Sequence, residues 1–228
     1  RSIFVACQGQ REAGGGRFAE EFAAFGIDPA SRSRRMEEAM EIMRLISVEE
    51  NASYKGEFNR FEDLTVLPRP VQQPLPIWVT ANPNAAFPKL REAALRRVAR
   101  YGDGWMTTAN TVDSVGENLD AIRLYAEEES RTLPDDFEVC LYYNIRVDDD
   151  REAGLAVAAD YLRDYYGVDY EREFLERWVA VGEPQRCIDE IRRFIDAGVT
   201  TVTLRLIGHD ETAQFERVSN EVLPALVT

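Results

Sequence analysis

The sequence is short of the side chains that metal centres and disulfide frameworks require. Its 228 residues include one histidine, His209, and three cysteines, and no two cysteines have the spacing of a zinc site. A histidine-based metal cluster is therefore excluded, and metal-dependent hydrolysis is a poor interpretation. Because the cysteines are scattered in apolar settings, we expect reduced thiols and a cytoplasmic protein.

The chain also lacks an excess of basic residues and any long apolar run. Its formal net charge is −14 at pH 7, which argues against nucleic acid and anionic membrane surfaces as partners. No apolar run approaches the roughly 18 residues of a membrane-spanning helix. With 45% hydrophobic residues, residues 1–228 are predicted to form one domain with a substantial core.

No GxGxxG motif follows the first apolar run, so a dinucleotide-binding fold has no positive support. What the sequence does contain is a regular alternation of strands and helices. Each predicted strand is followed by helical sequence, which favours parallel pairing with right-handed crossovers. This pattern fits either an open doubly wound sheet or part of an eight-stranded barrel. The predicted strands are 3–7, 77–81, 105–108, 137–147 and 201–207.

The helices are predicted from apolar spacing and from end signals. One begins at a capping box that starts with Ser114 and continues to Glu129, and Pro184 is placed as a first-turn proline. In the helix predicted at 33–46, a methionine stripe is expected in the core and the glutamates 37, 38 and 41 on a solvated face. The other predicted helices are one that Ala94, Leu95, Val98 and Ala99 mark and Gly102 ends, and those at 151–166, 170–180 and 211–226.

The segment at 56–83 leads from a polar, proline-rich stretch into the buried strand at 77–81. In parallel α/β sheets, ligands bind at the carboxyl ends of strands, where Thr80 and Asn82 lie. The sequence therefore predicts a ligand contact at this strand end. Thr80 fits an ordinary strand residue equally well, and Asn82-Pro83 is also a common turn.

Four motifs, taken together and in this order, resemble the bacterial luciferase-like family of flavin-dependent oxidoreductases and monooxygenases. The resemblance implies a TIM (β/α)₈ barrel in which this chain begins at the fourth strand. About three N-terminal strands would then be absent, and residues 1–228 would be a single barrel domain made of the C-terminal five βα units. The motifs are EFAAFGID with RSRRMEEAMEIMRLI, GEF through LPRPVQQPLPIWV, ALRRVARYGDGW, and VGEP with DAGV.

The resemblance also implies a flavin site. Arg34 matches the family's phosphate-binding arginine, with Arg32 and Arg35 as rivals one or two positions away, although RSRR also fits a solvated helix start. The guanidinium group suits this role because its planar fork binds phosphate oxygens in a bidentate manner. The other residues at matching positions are Cys7, Gln8 and Gln10 after the first strand and Thr80, Ala81, Asn82 and Pro83 after the next.

Two positions carry further expectations. Gln8 is a neutral amide where the family often has a basic contact, which weakens the phosphate site for FMN and leaves the deazaflavin F420 open. His209 follows the last strand and is the candidate catalytic residue, able to relay a proton to a substrate oxygen. An ordinary surface histidine is the competing interpretation.

The function that the resemblance implies is a flavin-dependent monooxygenase that uses reduced FMN and O₂ to oxygenate a small organic substrate. The alternative within the family is hydride transfer with F420. A third interpretation, from another class, is a non-catalytic flavin-binding subunit. The expected partners are a small-molecule substrate, a flavin reductase that supplies reduced flavin, and a second copy in a homodimer.

Overall fold

The computed structural model describes residues 2–5, 12–13, 19–108 and 110–226, with side chains from residue 20 onward. These residues belong to two compact units. Unit 1 contains Arg1–Gly9, Met106–Ala121 and Glu138–Thr228, and unit 2 contains Gln10–Trp105 and Ile122–Phe137. Cys7, Gln8 and Gln10 lie outside the described residues. Folding of residues 1–228 as one barrel domain stays a prediction.

All five predicted strands are present, and helices follow most of them as expected. Within the described ranges the strands are β1 Ser2–Val5, β2 Glu12–Ala13, β3 Ala52–Lys55, β4 Arg60–Leu64, β5 Trp78–Thr80, β6 Gly104–Thr107, β7 Glu138–Val147, β8 Val179–Gly182 and β9 Thr201–Leu206. The helices are α1 Ala19–Ala24, α2 Arg32–Val48, α3 Pro88–Tyr101, α4 Val112–Glu128, α5 Arg151–Tyr166, α6 Arg172–Trp178, α7 Pro184–Asp196, α8 Glu211–Arg217 and α9 Leu223–Leu226. A single 3₁₀ turn, Pro29–Ser31, precedes α2, and a π-helical turn, Val218–Val222, joins α8 to α9.

Unit 1 is built on parallel strands. β9 pairs with β1 on one side and with β7 on the other, and β8 pairs with the second half of β7. Helix α5 begins at Asp150, whose side chain accepts hydrogen bonds from the backbone N–H groups of Glu152 and Ala153. It ends at Gly167, which adopts a left-handed conformation with φ 68°. These end signals explain why the predicted bounds 151–166 agree with the structure.

The two faces of β7 and β9 differ in character. Residues paired across the strands share a face, and on one face Cys140, Tyr142 and Asn144 pair with Thr201, Thr203 and Arg205. On the other face, Leu141, Tyr143 and Ile145 pair with Val202, Leu204 and Leu206. Tyr143 packs edge-on against Phe194 of α7, with ring centroids 5.3 Å apart. The second face is therefore covered by helices, whereas the first is a buried polar face.

In unit 2, β5 pairs in parallel with β2, and β3 and β4 form an antiparallel hairpin. The hairpin occupies part of a stretch expected to be irregular, because its strands are short and largely exposed and so lack an alternating apolar pattern. The hairpin turn is held to α2 by Glu38, whose carboxylate accepts hydrogen bonds from the backbone N–H groups of Phe58 and Asn59.

The prediction that Glu38 lies on a solvated face of α2 is wrong. This side chain is 6% exposed, and a Cβ atom at Gly56 would overlap its carboxyl group. Burial acts to raise the pKa of Glu38, but the hydrogen bonds from Phe58 and Asn59 outweigh it and lower the pKa below its ordinary value. The glycine in the GEF motif therefore makes room for a buried carboxylate that ties α2 to the hairpin turn.

The start of helix α4 also differs from the prediction, which placed it at Ser114. The helix begins at Val112, and Ser114 donates to the carbonyl group of Thr111 at 2.9 Å from inside the first turn. The hydroxyl oxygen of Thr111 instead accepts a hydrogen bond from the backbone N–H of Ser114, at 3.2 Å.

In the described part of the chain, none of the helices combines the length and apolar character needed to cross a membrane.

Candidate functional site

The position of β5 in unit 2 is fixed by an ionic network around Asp103. Its carboxylate accepts a hydrogen bond from the backbone N–H of Ile77 at 2.8 Å and forms an ion pair with Arg44. Arg131 lies 3.6 Å from the other carboxylate oxygen and donates to the carbonyl of Gly102 at 2.7 Å. The GDGW motif thus anchors the start of β5, and the strand presents its carboxyl end at a fixed place.

The predicted ligand contact at this strand end has a specific structural feature. Among the described residues, the hydroxyl oxygen of Thr80 is buried and has no hydrogen-bond partner. A buried polar atom without a partner carries a free-energy cost of about 1–3 kcal/mol, which a ligand with a complementary polar group would remove. The cofactor contact at Thr80 stays a prediction, with this unpartnered hydroxyl as the feature that a ligand would satisfy.

The neighbours of Thr80 have different environments. Ala81 is 5% exposed, and its carbonyl accepts a hydrogen bond from the indole N–H of Trp105 at 2.9 Å. Asn82 is exposed and Pro83 is half-buried. Trp105 is fully buried, so this aromatic residue supports the strand end from the core.

The predicted phosphate arginine, Arg34, forms an ion pair with Glu57 on the surface of unit 2. Both side chains are more than half exposed, at 58% and 53%. Its rival Arg35 lies with its guanidinium carbon 4.1 Å from the ring centroid of Phe58 and donates to the hydroxyl of Ser31 at 3.0 Å. Arg32 is exposed. Binding of a phosphate by Arg34 would require it to exchange Glu57 for the ligand, and the cofactor role of these residues stays a prediction.

Unit 1 brings together a second set of polar groups at the carboxyl ends of β7 and β9. Asn144 is fully buried and donates from its amide nitrogen to the carbonyl of Trp178 at 3.2 Å. Its amide oxygen is buried and lacks a partner within the described residues. Trp178 in turn donates from its indole N–H to the hydroxyl of Thr108 at 2.8 Å. The polar face of β7 therefore carries an acceptor that is free for a ligand.

Arg205, which pairs with Asn144 across the strands, is the most distinctive side chain of this face. Its guanidinium carbon lies 4.1 Å from the ring centroid of Tyr165, and a terminal nitrogen donates to the hydroxyl of Tyr166 at 3.0 Å. Burial acts to lower the pKa of Arg205, but hydrogen bonds with Tyr161 and Tyr166 outweigh it, so the pKa is raised. No carboxylate among the described residues forms an ion pair with this half-buried cation.

Six aromatic side chains from α5, α6 and the loop between them surround this region; we call them the aromatic cluster. Trp178 is at its centre, with the rings of Tyr170 and Phe174 at 5.2 Å and Tyr166 at 5.6 Å. The hydroxyl of Tyr170 is buried without a partner in the described ranges. An apolar wall with a few convergent polar groups is typical of a small-molecule pocket. The cluster consists of Tyr161, Tyr165, Tyr166, Tyr170, Phe174 and Trp178.

His209, the predicted catalytic residue, lies at the edge of the aromatic cluster. Its ring centroid is 5.4 Å from that of Tyr161, and Tyr161 also lies 5.6 Å from the guanidinium carbon of Arg205. The side chain is exposed. Tyr161 thus contacts both His209 and Arg205, and the proton-transfer role of His209 stays a prediction.

A buried arginine next to this region has a purely structural environment. Arg146 donates to the carbonyl of Ile207 at 3.1 Å and forms ion pairs with Asp210 at 2.9 Å and Asp148 at 3.2 Å. The hydrogen bond from Arg146 lowers the pKa of Asp210 below its ordinary value. This network holds the loop that carries His209.

Arg205, Asn144 and Trp178 were not among the site residues predicted from the sequence. A signal for two of them was present, because Arg205 and Asn144 interrupt apolar strands, TVTLRLI and LYYNIRV. A polar residue within a buried strand must find partners. The contact of Trp178 with Thr108 joins residues 70 positions apart, and nothing in the local pattern indicates it.

The sequence profile of the luciferase-like monooxygenase family matches residues 12–201. The chain belongs to this family. Among the relatives of the luciferase-like chain, the F420-dependent glucose-6-phosphate dehydrogenase of Intrasporangium calvum is 26% identical over 86% of this chain and 61% of its own length. The enzyme of the same name from Amycolatopsis mediterranei is 22% identical, over 93% of this chain and 68% of its own length. The chain thus spans about three fifths to two thirds of the length of these relatives.

Solved structures confirm the predicted fold class, an α/β barrel of luciferase-like type. An F420-dependent secondary alcohol dehydrogenase, solved with an F420–acetone adduct, is similar with a TM-score of 0.79 at 17% identity, covering 94% of this chain and 68% of that one. The monooxygenase RslO1 from Streptomyces bottropensis has a TM-score of 0.71 at 23% identity, with coverage of 92% and 67%. At these identities the likeness establishes the fold alone.

Proposed function

We propose that this chain belongs to an F420-dependent oxidoreductase that transfers a hydride between F420 and a small hydroxyl-bearing substrate. The observation that carries the proposal is the similarity to F420-dependent glucose-6-phosphate dehydrogenases over most of the chain. This favours the alternative of the sequence analysis over reduced FMN and O₂. When bound, F420 supplies a ring carbon that accepts or releases a hydride, and this chemistry belongs to the cofactor.

The residues at the end of β5 fit the cofactor in this proposal. The unpartnered hydroxyl of Thr80 would hydrogen-bond to a polar group of the cofactor, and Trp105 would keep the strand end in position through the Ala81 carbonyl. The neutral Gln8 in the sequence is also consistent with a cofactor other than FMN.

The residues of unit 1 fit the substrate. Arg205 is a half-buried cation without a carboxylate partner in the described chain, so it would bind an anionic or strongly polar group of the substrate. The free amide oxygen of Asn144 would accept a hydrogen bond from a substrate hydroxyl. During oxidation of an alcohol, the hydroxyl proton must pass to a base, and His209 is the candidate in this region.

The second candidate is a monooxygenase that uses reduced FMN. It is supported by the family's name and by the shared fold with RslO1. In that case a flavin reductase would be a required partner, whereas F420 chemistry needs none. A homodimer is proposed for either activity.

Two turnover assays distinguish the F420-dependent oxidoreductase from the FMN-dependent monooxygenase. The purified protein is mixed with oxidised F420 and either glucose 6-phosphate or 2-propanol, and loss of the oxidised F420 absorbance band is followed. In parallel, oxygen uptake is measured with reduced FMN and a long-chain aldehyde. The proposal predicts bleaching of F420 that depends on substrate. Substrate-dependent oxygen uptake without F420 bleaching would contradict it and favour the monooxygenase.

A further inference from the structure

A pocket of about 290 Å³ in unit 1 has a strongly basic lining that the proposed function does not use. Its charged side chains come from the start of α5, from α6 and from α7; we call it the arginine pocket. The volume is at the small end of the range for ligand sites, so it suits a small molecule. The charged residues are Arg151, Glu176, Arg177, Arg186, Glu190 and Arg193.

The arginine pocket lies on the helix-covered face of β7. Tyr143 and Phe194 contribute to its wall, and Tyr143 belongs to the face opposite the one that carries Asn144 and Arg205. The pocket is therefore separate from the candidate substrate site. Whatever binds in it contacts neither Asn144 nor Arg205.

The charges in the pocket do not balance. Four arginines and two glutamates give a net charge of 4 − 2 = +2, in a chain whose overall charge is −14. Glu176 is already paired with Arg151 at 3.1 Å, and Glu190 with Arg186 at 2.8 Å.

Arg177 and Arg193 are therefore the unpaired cations of the pocket. Neither forms an ion pair within the residues that the structure describes. The guanidinium carbon of Arg177 lies 5.0 Å from the ring centroid of Phe174. Two cations at one wall of a small pocket repel one another unless an anion lies between them.

Two donor atoms in the pocket point to the same ligand chemistry. The Nε atoms of Arg151 and Arg177 are buried and have no acceptor in the described part of the chain. Glu190 does not offer one to them, since its own Oε2 atom is also buried without a partner. Burial raises the pKa of Glu190, whereas Arg186 and Arg193 are exposed to solvent. Several guanidinium groups around one small pocket are an arrangement that suits phosphate oxygens.

We propose that the arginine pocket binds the phosphate group of a small molecule, with Arg177 and Arg193 as the principal ligands. A dianionic phosphate would neutralise the excess charge of +2 and provide acceptors for the two unpartnered Nε atoms. Binding stabilises the fold of unit 1, because an anion joins α5, α6 and α7. The site is independent of the proposed hydride transfer, and its occupancy is measured without F420 or turnover.

The test is a comparison of thermal unfolding in sodium phosphate, glycerol 3-phosphate and sodium chloride at equal ionic strength, together with calorimetric titration. For the unmodified protein we expect Tm to rise by several degrees in either phosphate relative to chloride. The order of the two affinities identifies the source: tighter binding of glycerol 3-phosphate indicates a phosphorylated metabolite, and tighter binding of sodium phosphate indicates the free ion.

The variants are Arg177→Gln, Arg193→Gln and the double variant, each expected to weaken phosphate binding by about tenfold or more. Arg163→Gln is the matched control, because Arg163 is an exposed arginine of α5 whose ion pairs in the described chain are with Asp160 and Asp164. It should keep the full response.

Equal Tm in phosphate and chloride for the unmodified protein would overturn the proposal, as would an unchanged phosphate response in the double variant. If the double variant does not fold, as judged by circular dichroism, Arg193→Gln alone decides, since removal of this residue breaks no ion pair of the described chain.

Discussion

Arg34 in unit 2 and Arg205 in unit 1 show how differently two arginines of one chain are used. Arg34 is 58% exposed and paired with Glu57. Arg205 is half-buried, lies over the ring of Tyr165 and donates to Tyr166. An exposed ion pair contributes about 0–1 kcal/mol, because water and salt screen it. A desolvated cation without a carboxylate is unfavourable unless a ligand or a set of dipoles compensates it.

Arg146 makes the comparison sharper, since it is buried in the same unit but has two carboxylate partners, Asp148 and Asp210. The charge of Arg146 is therefore compensated within the protein. Position in the sequence pointed to Arg34, whereas the partners of each side chain point to Arg205. An arginine is a candidate for ligand binding when the protein has buried it and left its charge uncompensated.

The largest expected effect comes from removing Trp178, the centre of the aromatic cluster that lies against Arg205. Trp178→Ala should lower the free energy of unfolding by about 3–5 kcal/mol, because a large aromatic side chain that is 5% exposed leaves a cavity. Urea denaturation followed by circular dichroism measures it. Phe87→Ala is the control, since Phe87 is 58% exposed, and its effect should stay below about 1 kcal/mol. Equal effects would mean that the aromatic cluster is not a packed unit.

The next effect is on activity. Arg205→Gln should lower kcat/KM for an anionic substrate by about 100-fold, near 2.7 kcal/mol, while the free energy of unfolding changes by less than about 1 kcal/mol. Arg205→Lys keeps the charge without the planar fork and should recover part of the loss. Steady-state kinetics with oxidised F420 provide the measurement. A uniform loss for neutral and anionic substrates would show that Arg205 does not select the anionic group.

A smaller effect is expected on pH dependence near Arg146. Because the pKa of Asp210 is lowered in the folded state, its contribution to stability is present above the unfolded pKa of about 3.9 and is lost as pH falls through the folded pKa. The side chain is 46% exposed, so the contribution is below about 1 kcal/mol. Asp210→Asn should therefore weaken the dependence of the unfolding free energy on pH below about pH 4. An unchanged pH dependence would contradict the lowered pKa of Asp210.

The smallest effect is expected at Arg34. Arg34→Gln and Glu57→Gln should each change the free energy of unfolding by less than about 0.5 kcal/mol, with a coupling energy in the double variant of about 0.2–1 kcal/mol. The Arg34→Gln protein also tests the cofactor role implied by the family resemblance. A tenfold or greater loss of cofactor affinity would show that Arg34 exchanges Glu57 for a phosphate group.

The sequence predicted most of the strands and helices because their signals are local, but it placed the first two residues of β8 in a helix and missed the hairpin of β3 and β4. Pro184 begins α7, Gly167 ends α5, and apolar runs mark β7 and β9. It predicted the ligand contact at Thr80 from the position of a strand end, and the unpartnered hydroxyl supports that expectation.

The remaining features depend on contacts between distant residues. The burial of Glu38 is decided by backbone N–H groups 20 and 21 positions away, and Arg205 meets Tyr166 across 39 positions. Charge and spacing alone do not distinguish a solvated glutamate from a buried one. Nor do they distinguish an arginine that pairs with carboxylates from one that does not. These differences are set by tertiary packing.

The most direct test of the proposed function is equilibrium titration of the purified protein with oxidised F420 and, separately, with FMN, followed by fluorescence. The account predicts saturable binding of F420 that is at least about tenfold tighter than binding of FMN. Binding of FMN as tight as that of F420, or no binding of F420, would contradict it.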